Sequence, residues 1–195
     1  MRFSTWNVRS LYRARSLAAT ARELTRCKLD LVGVQEFRWD RGVAVREGDY
    51  NFFYGKGKEN HQFGTEFLVQ HRIVSASKIL ELVGNWMSYV VLRGCWCNII
   101  VLNVHAPSEE KSDDSKGRFY EVSEQVFFHF PKYNMKILLG DFNEKVGRER
   151  IFKSTIVNES LHQGNNDNGV RIVNFATKNN LVVKSTLFQH QNTRK

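Results

Sequence analysis

The segment from Lys136 to Asn143, with the sequence KILLGDFN, places a short apolar run directly before a carboxylate and an amide. Three consecutive apolar residues bounded by a glycine are typical of a short β-strand that is buried on both faces. Such a strand holds the side chains at its end rigidly, and Asp and Asn oxygens suit a hard divalent cation such as Mg²⁺. The same residues also fit an ordinary polar turn, so this segment alone leaves both interpretations open.

Three other predicted strands also end in a polar side chain: the first at Asn7, the second at Glu36 and the third at His105. Ligands of layered α/β folds bind outside strand ends, where loops converge. A carboxylate pair with amides suits Mg²⁺ or Mn²⁺, and a histidine beside it suits proton transfer or charge stabilisation on a phosphoryl oxygen. The pattern indicates metal-assisted hydrolysis of a phosphate ester. Taken singly, Asn7 also fits a cap, Glu36 a surface acid and His105 a loop histidine.

Amphipathic helices are predicted between these strands, which indicates an α/β fold. Leu17, Ala21 and Leu24 recur with helical spacing and predict a helix from about residue 10 to 27 with a basic outer face. Strand, helix and strand in succession form a βαβ-like unit, so we expect the first two strands to be neighbours. Helices are also predicted at 113–130 and about 170–176, and strands at 51–54, 67–69, 73–74, 87–92, 96–104 and 181–183.

The charge balance favours a polyanionic partner. The chain has 195 residues, which fits one domain, and a net charge of +9. This excess favours nucleic acid over a membrane, and no run of 18 apolar residues occurs. Cys27, Cys95 and Cys97 follow no signal-like segment, so we expect free thiols in a reducing compartment. We therefore expect an intracellular protein that is not secreted and that binds nucleic acid. We also expect a monomer without an obligate protein partner, located in the nucleus.

Four short motifs follow one another along the chain: Thr5–Ser10, Gly33–Glu36, Asn103–Pro107 and Gly140–Asn143. In this order they resemble the motifs of the endonuclease/exonuclease/phosphatase superfamily. The closer resemblance is to endonuclease domains of insect non-LTR retrotransposons, a group often labelled craniofacial development protein 2-like. The resemblance implies a four-layer α/β sandwich like that of deoxyribonuclease I, and an activity that nicks DNA to leave an end that primes reverse transcription.

The resemblance also implies a role for each matched residue. Glu36 would be the principal ligand of Mg²⁺ or Mn²⁺, helped by Asn7. Asp141 would orient or activate the attacking water, and Asn143 would contact the scissile phosphate. His105 stands where the family has a Tyr or His that assists at the phosphate or the leaving group.

Basic residues near these motifs are candidates for contacts with DNA phosphates. Arg9 follows the first motif, and Lys145 and Arg148 follow the last one. The basic loop after the last motif also fits an ordinary solvated loop.

The chain departs from the family pattern in two places. The family closes with a strand pair and an Asp-His motif, whereas no Asp follows Asp167 here, and His190 is not assigned to that role. We therefore expect residues 1–195 to be a single domain that is incomplete at its C-terminus and impaired in activity. The alternatives are a catalytically dead nucleic-acid-binding remnant and a phosphatase of the same superfamily. The second departure is Glu66, where the family prefers a small residue; this side chain either crowds a strand or points outward.

Overall fold

The computed structural model describes residues 1–8, 14–36, 45–53, 64–84, 86–147, 155 and 164–184. Two compact units are distinguished, Met1–Ala106 with Ser123–Asp141, and Pro107–Val122 with Phe142–Lys195. The elements in the described ranges are, in chain order, β1 (Phe3–Asn7), α1 (Ala14–Arg26), β2 (Leu31–Gln35), β3 (Val45–Glu47), β4 (Tyr50–Phe53), β5 (Thr65–Gln70), α2 (His71–Val74), β6 (Ser77–Val83), β7 (Met87–Leu92), β8 (Ile99–His105), α3 (Asp113–His129), β9 (Met135–Asp141) and α4 (Asp167–Lys178).

The first unit contains two β-sheets. The first sheet has the strand order β1-β2-β5-β4-β3 and the second has the order β6-β7-β8-β9. Strands β1 and β2 are parallel, as are β8 and β9, whereas the other pairs are antiparallel. The predicted adjacency of the first two strands is therefore confirmed, with α1 as the crossover between them.

The two sheets face each other across a shared apolar core. Because strand side chains alternate between faces, every second residue of a strand points into this space. Each fully buried aliphatic or aromatic side chain contributes about 1.5–3 kcal/mol to the stability of this packing. The buried core residues are Leu31, Phe67, Val69 and Ile73 from the first half of the unit, and Val90, Leu92 and Val101 from the second sheet.

Helices cover the outer faces of both sheets. Leu17, Ala21 and Leu24 of α1 pack against the first sheet, as their helical spacing predicts. The segment directly after α3 lies on the second sheet, where the ring of Phe130 meets the Tyr89 ring edge-on at a centroid distance of 5.0 Å. Helix, sheet, sheet and helix make the four layers of the expected α/β sandwich.

No helix within the described ranges has the length and apolar content that a bilayer-crossing segment needs.

Some predicted elements differ from the structure. Residues 73–74, which were predicted as a strand, lie in the helical turn α2. The prediction was wrong because a two-residue apolar run cannot distinguish a strand from a helix. Residues 181–183 form no strand, although Val183 donates a backbone hydrogen bond to the Thr155 carbonyl at 2.9 Å. The strand predicted at 96–104 is observed as β8, which starts at Ile99. The predicted strand at 51–54 is observed as β4, with residue 54 outside the described residues.

The sheet edges account for the other differences. Strands β3 and β6 were not predicted, and both lie at the edge of their sheet as far as the described residues show. Strand β9, which ends at Asp141, lies at such an edge too, and its residues are half-buried or exposed rather than buried on both faces. Edge strands pack against one neighbour only, so their apolar alternation is weaker and harder to recognise in a sequence.

A buried asparagine joins the two sheets. Asn103 on β8 is fully buried, and its Nδ2 donates hydrogen bonds to the Val34 carbonyl at 3.0 Å and the Glu66 carbonyl at 2.8 Å. Its Oδ1 accepts a hydrogen bond from Gln35 Nε2 at 2.5 Å. A Cβ added at Gly33 would lie only 2.7 Å from Asn103 Oδ1, so the glycine makes room for this bridge.

A double-mutant cycle tests this bridge. We expect Gly33→Ala to lower the free energy of unfolding by about 1–3 kcal/mol, because the new methyl group overlaps Asn103. Asn103→Ala is expected to cost about 2–4 kcal/mol through lost hydrogen bonds and a cavity. The double variant should lose about 1–2 kcal/mol less free energy of unfolding than the sum of the two single losses, since Asn103→Ala removes the overlapping atoms.

Urea unfolding measures all three values. Gly117→Ala on α3 is the control: a Cβ there meets nothing within 4 Å, so the change should be neutral or stabilising by up to about 1 kcal/mol. Strictly additive costs at Gly33 and Asn103 would contradict the proposed overlap.

Glu66 does not point outward into solvent. The residue is 9% exposed, and it lies on the same face of β5 as Leu68, which packs beneath α1. The outward alternative is therefore wrong. Burial raises the pKa of the Glu66 carboxyl to about 9, because the charged form loses its hydration.

This carboxyl should make the stability of the protein depend on pH. Between pH 4.5 and about 9 the folded chain keeps a proton that the unfolded chain has released, so the free energy of unfolding should fall as the pH rises. We expect Glu66→Gln to remove this slope and to raise the stability at pH 7.5 by about 2–4 kcal/mol. Urea unfolding at pH 5.5 and 7.5 measures the effect, with the exposed Glu110→Gln as control. An unchanged pH slope in Glu66→Gln would disprove this account.

In the second unit, a charged network surrounds the start of α4. Lys116, whose side chain is 5% exposed, lies 3.1 Å from Asp167 Oδ2 and 3.8 Å from Glu109 Oε1. Arg171 Nε donates to Asp167 Oδ2 at 2.8 Å. Hydrogen bonds from Arg171 and then from Lys116 lower the pKa of Asp167. The network therefore keeps Asp167 ionised in the first turn of α4, where a negative charge stabilises the helix.

Candidate active site

The carboxyl ends of two parallel strand pairs lie at one end of the sandwich. In the first sheet the last residue of β1, Asn7, pairs with Gln35. In the second sheet His105 pairs with Asp141, and each is the last residue of its strand. Because parallel strands end at the same edge, the topology delivers polar side chains from all four strands to one place.

Alternation along the strands turns two of these side chains inward. Phe3 packs against the apolar core between the sheets, so Asn7, four residues later on the same strand, faces the same space. On β9, Leu139 packs against that core and Asp141 follows it two residues later. The interior therefore changes from apolar to polar along the strands, and its polar end holds the candidate site.

Four residues form what we call the strand-end cluster: Asn7, Glu36, His105 and Asp141. Asn7 Nδ2 donates hydrogen bonds to Glu36 Oε1 at 3.0 Å and to Asp141 Oδ2 at 2.9 Å. His105 Nε2 lies 3.8 Å from the same Glu36 oxygen. The His105 side chain is 7% exposed and that of Glu36 is 24% exposed, so the cluster is shielded but open to solvent on its Glu36 side. The structure thus brings together four residues that the sequence places at separate strand ends.

A second layer of polar side chains supports the cluster. Gln35 Nε2 donates hydrogen bonds to Thr5 Oγ1 at 3.0 Å and to Asn103 Oδ1 at 2.5 Å. These residues lie between the apolar core and the cluster. Each one precedes a member of the cluster by one or two residues along the chain. Sequence reasoning missed them. The available signal was a polar residue at an inward-facing position of an otherwise apolar strand.

The backbone of Glu36 contributes to the geometry. Its φ is 57°, in the left-handed region that non-glycine residues rarely adopt. This conformation costs about 1–2 kcal/mol and is found mainly at functional sites and turns. It ends β2 and turns the Glu36 side chain toward Asn7.

Gly140 lets β8 and β9 approach each other beside the cluster. Its φ is 150°, and a Cβ there would lie 2.1 Å from the Val104 carbonyl oxygen. Two backbone hydrogen bonds fix the strand ends: Ala106 N donates to the Asp141 carbonyl at 2.8 Å, and His105 N donates to the Trp86 carbonyl at 2.9 Å. The side chains of His105 and Asp141 are thus held by closely packed backbone.

The donor atoms of the cluster fit a magnesium-type ion. Among the described residues there is no group of three or more His, Cys, Asp or Glu side chains that would hold a metal unaided. Mg²⁺ does not require such a group, because one or two carboxylates, water and substrate phosphates complete its shell. The Glu36 and Asp141 oxygens bonded to Asn7 lie less than about 6 Å apart, since both contact one nitrogen. Rotation of the Asn7 amide would present its oxygen to the same space.

Asn143 lies in the second unit, with a left-handed φ of 50°. Its backbone carbonyl accepts hydrogen bonds from Asn166 Nδ2 at 3.1 Å and Asn168 Nδ2 at 3.3 Å. Asn166 also caps α4, because its Oδ1 accepts from Gly169 N at 2.8 Å. The start of α4 therefore fixes the backbone at Asn143.

The basic candidates are only partly described. Lys145 is exposed in the second unit, and its backbone N–H donates to Asn166 Oδ1 at 2.8 Å. Arg9 and Arg148 lie outside the described residues.

Sequence relatives of the chain are found along most of its length. A family model described as "Endonuclease/Exonuclease/phosphatase family" matches residues 4–171. Craniofacial development protein 2 of Bos taurus is 28% identical over 190 residues, which cover 97% of this chain and 32% of that protein. The Tragulus javanicus protein of the same name is also 28% identical, with 97% and 33% covered. The chain spans about a third of the length of these curated relatives.

Solved structures with the same fold include two endonucleases. The endonuclease domain of TRAS1, a telomere-specific non-LTR retrotransposon, gives a TM-score of 0.59 at 17% identity, covering 91% of this chain and 70% of that one. The AP endonuclease LMAP from Leishmania major gives 0.61 at 12% identity, covering 91% and 66%. TDP2 of D. rerio, complexed with a single-strand DNA product, gives 0.54 at 18% identity, covering 72% and 60%. At these identities the likeness shows a shared fold, which agrees with the deoxyribonuclease I-like sandwich expected from the sequence.

Proposed function

The chain belongs to the endonuclease/exonuclease/phosphatase family, and on that basis we propose that it hydrolyses phosphodiesters with a divalent metal ion and nicks DNA. The observation that carries this proposal is the Asn7 amide, whose Nδ2 donates hydrogen bonds to the carboxylates of Glu36 and Asp141 at 3.0 and 2.9 Å. Two carboxylates and an amide at converging strand ends form an oxygen-rich site suited to a hard cation and a phosphate.

Each residue of the strand-end cluster has a proposed part in the reaction. Glu36, helped by Asn7, would hold Mg²⁺ or Mn²⁺, and the bound ion would withdraw negative charge from the phosphate. Asp141 would accept a hydrogen bond from the attacking water and orient it, while Asn7 Nδ2 fixes the other side of the carboxylate. His105 would donate a hydrogen bond or a proton to a phosphate or leaving-group oxygen. Asn143 is proposed, on the family resemblance, to contact the scissile phosphate.

DNA is the proposed substrate because the charge of the chain favours a polyanion. The net charge is +9, and Lys145 is exposed. Arg9, Lys145 and Arg148 are proposed phosphate contacts. A retroelement origin and a nuclear location accord with this substrate and are part of the proposal.

A plasmid-nicking assay tests the function. We expect conversion of supercoiled to relaxed plasmid in Mg²⁺ or Mn²⁺ and none in EDTA. Equal nicking in EDTA would contradict metal dependence. DNA binding without nicking in either ion would favour the catalytically dead binding alternative. Release of inorganic phosphate from a phosphomonoester, with the plasmid left intact, would favour the phosphatase.

A further inference from the structure

Large apolar side chains are exposed at the end of the sandwich opposite the strand-end cluster. Trp96 is 97% exposed in the turn before β8, Tyr133 is 75% exposed, and Met135 is 54% exposed at the start of β9. Strands β8 and β9 run from this end to His105 and Asp141. Seven residues of strand separate the two ends by about 20 Å, at about 3.3 Å per residue. This surface is therefore distinct from the candidate active site.

Asn98 holds these side chains on a fixed backbone. Its N–H donates to Asn134 Oδ1 at 3.2 Å, and its carbonyl accepts from Met135 N at 3.1 Å. Its Oδ1 accepts from Lys78 Nζ at 3.3 Å. The turn that carries Trp96 is thus tied to β6 on one side and to the segment of Tyr133 on the other, which brings the two aromatic residues to one surface.

Positive charges lie among these apolar groups. Lys78, Arg93 and Lys132 are exposed, and none of them forms an ion pair with another described residue. Burial lowers the pKa of Lys136, and the charge of nearby Lys132 lowers it further. Like charges therefore accumulate here without neutralisation. We call the six residues Trp96, Tyr133, Met135, Lys78, Arg93 and Lys132 the aromatic end.

We propose that the aromatic end binds single-stranded nucleic acid. Unpaired bases would stack on Trp96 and Tyr133, and the cations would contact the phosphates between them. A duplex could not bind in this way, because its bases are already stacked on each other and cannot stack on the two rings. The core of a protein–protein interface is typically poor in lysine, whereas exposed aromatics among unpaired cations are typical of single-strand binding surfaces.

Titration with a fluorescein-labelled oligothymidylate of about 12 nucleotides, in EDTA to prevent cleavage, tests this proposal. We expect Trp96→Ala and Tyr133→Ala each to weaken binding about fivefold or more, and Trp96→Phe to retain most of the affinity because it keeps a ring. Unlabelled oligonucleotide should quench the tryptophan fluorescence of the natural chain and much less that of Trp96→Ala. Since Trp96 is 97% exposed, its removal should leave the melting temperature unchanged.

The charges are tested by the salt dependence of binding. Lys78→Gln and Lys132→Gln should each lower the slope of log K against log salt by about one, whereas Lys111→Gln, an exposed lysine of the second unit, should not. Unchanged affinity in a Trp96→Ala, Tyr133→Ala double variant would overturn the proposal and point to a protein or a lipid as the occupant. The binding assay involves no cleavage, so its result is independent of the nicking assay. The nuclease proposal can be refuted while binding at the aromatic end is observed, and binding can be absent while nicking is observed.

Discussion

Replacing Glu36 with alanine is expected to lower metal-dependent plasmid nicking by at least about 10³-fold. Glu36 is the principal proposed ligand of the metal ion, and charge stabilisation by such an ion supplies several kcal/mol to the reaction, with each 1.36 kcal/mol worth a factor of ten in rate. Its Oε1 also lies 3.0 Å from Asn7 Nδ2 and 3.8 Å from His105 Nε2, so the change disturbs two further members of the cluster.

The measurement is the initial rate of nicking over a range of Mg²⁺ concentrations. Glu36→Gln keeps the volume and the hydrogen bond from Asn7 but lacks the charge, so it should lose nearly as much activity and keep the melting temperature. Glu110→Ala, an exposed glutamate of the second unit, is the matched control and should nick at the normal rate. Unchanged metal-dependent cleavage in Glu36→Ala would refute the assignment of the site.

Replacing Gly140 with alanine is expected to lower the free energy of unfolding by about 4 kcal/mol or more. The added Cβ would lie 2.1 Å from the Val104 carbonyl oxygen and 2.7 Å from Val104 Cγ2. A backbone oxygen cannot rotate away, so β8 and β9 must separate where they deliver His105 and Asp141. Nicking should fall as well, because the two side chains would no longer be held in place.

A second glycine with a positive φ, but with open space around it, serves as the comparison. Gly84 also has a positive φ, of 68°, but a Cβ there meets nothing within 4 Å. Gly84→Ala should therefore cost only about 1 kcal/mol, through backbone strain alone, and leave nicking intact. Urea unfolding measures both variants. Equal costs at the two positions would show that contact with Val104 is not what requires a glycine at 140.

The candidate site could be predicted from the sequence because its residues follow recognisable strands. Asn7, His105 and Asp141 each end a strand, Glu36 directly follows one, and parallel strands end at one edge. The predicted adjacency of the first two strands places their ends together, where Asn7 and Glu36 form a 3.0 Å hydrogen bond. Their chemical roles stay proposals.

The supporting layer could not be predicted in this way. Gln35 and Asn103 are 68 residues apart, and no local pattern indicates that two buried amides will pair across sheets. The same limit applies to Glu66, whose burial depends on the cover that α1 provides for the first sheet. Local periodicity predicts which face of a strand is apolar, but not which polar residue a neighbouring element will enclose.

The cross-sheet bridge of Asn103 has a consequence for the speed and selectivity of any reaction at this site. Its hydrogen bonds to Val34, Glu66 and Gln35 tie the second sheet to two strands of the first and oppose sliding of one sheet past the other. In the proposed reaction, the residues of the strand-end cluster would therefore already be arranged before substrate arrives, and the loss of conformational freedom that their alignment requires would occur during folding rather than at each encounter. If the substrate is DNA, as proposed, binding energy from the rest of the polymer would remain for the transition state itself.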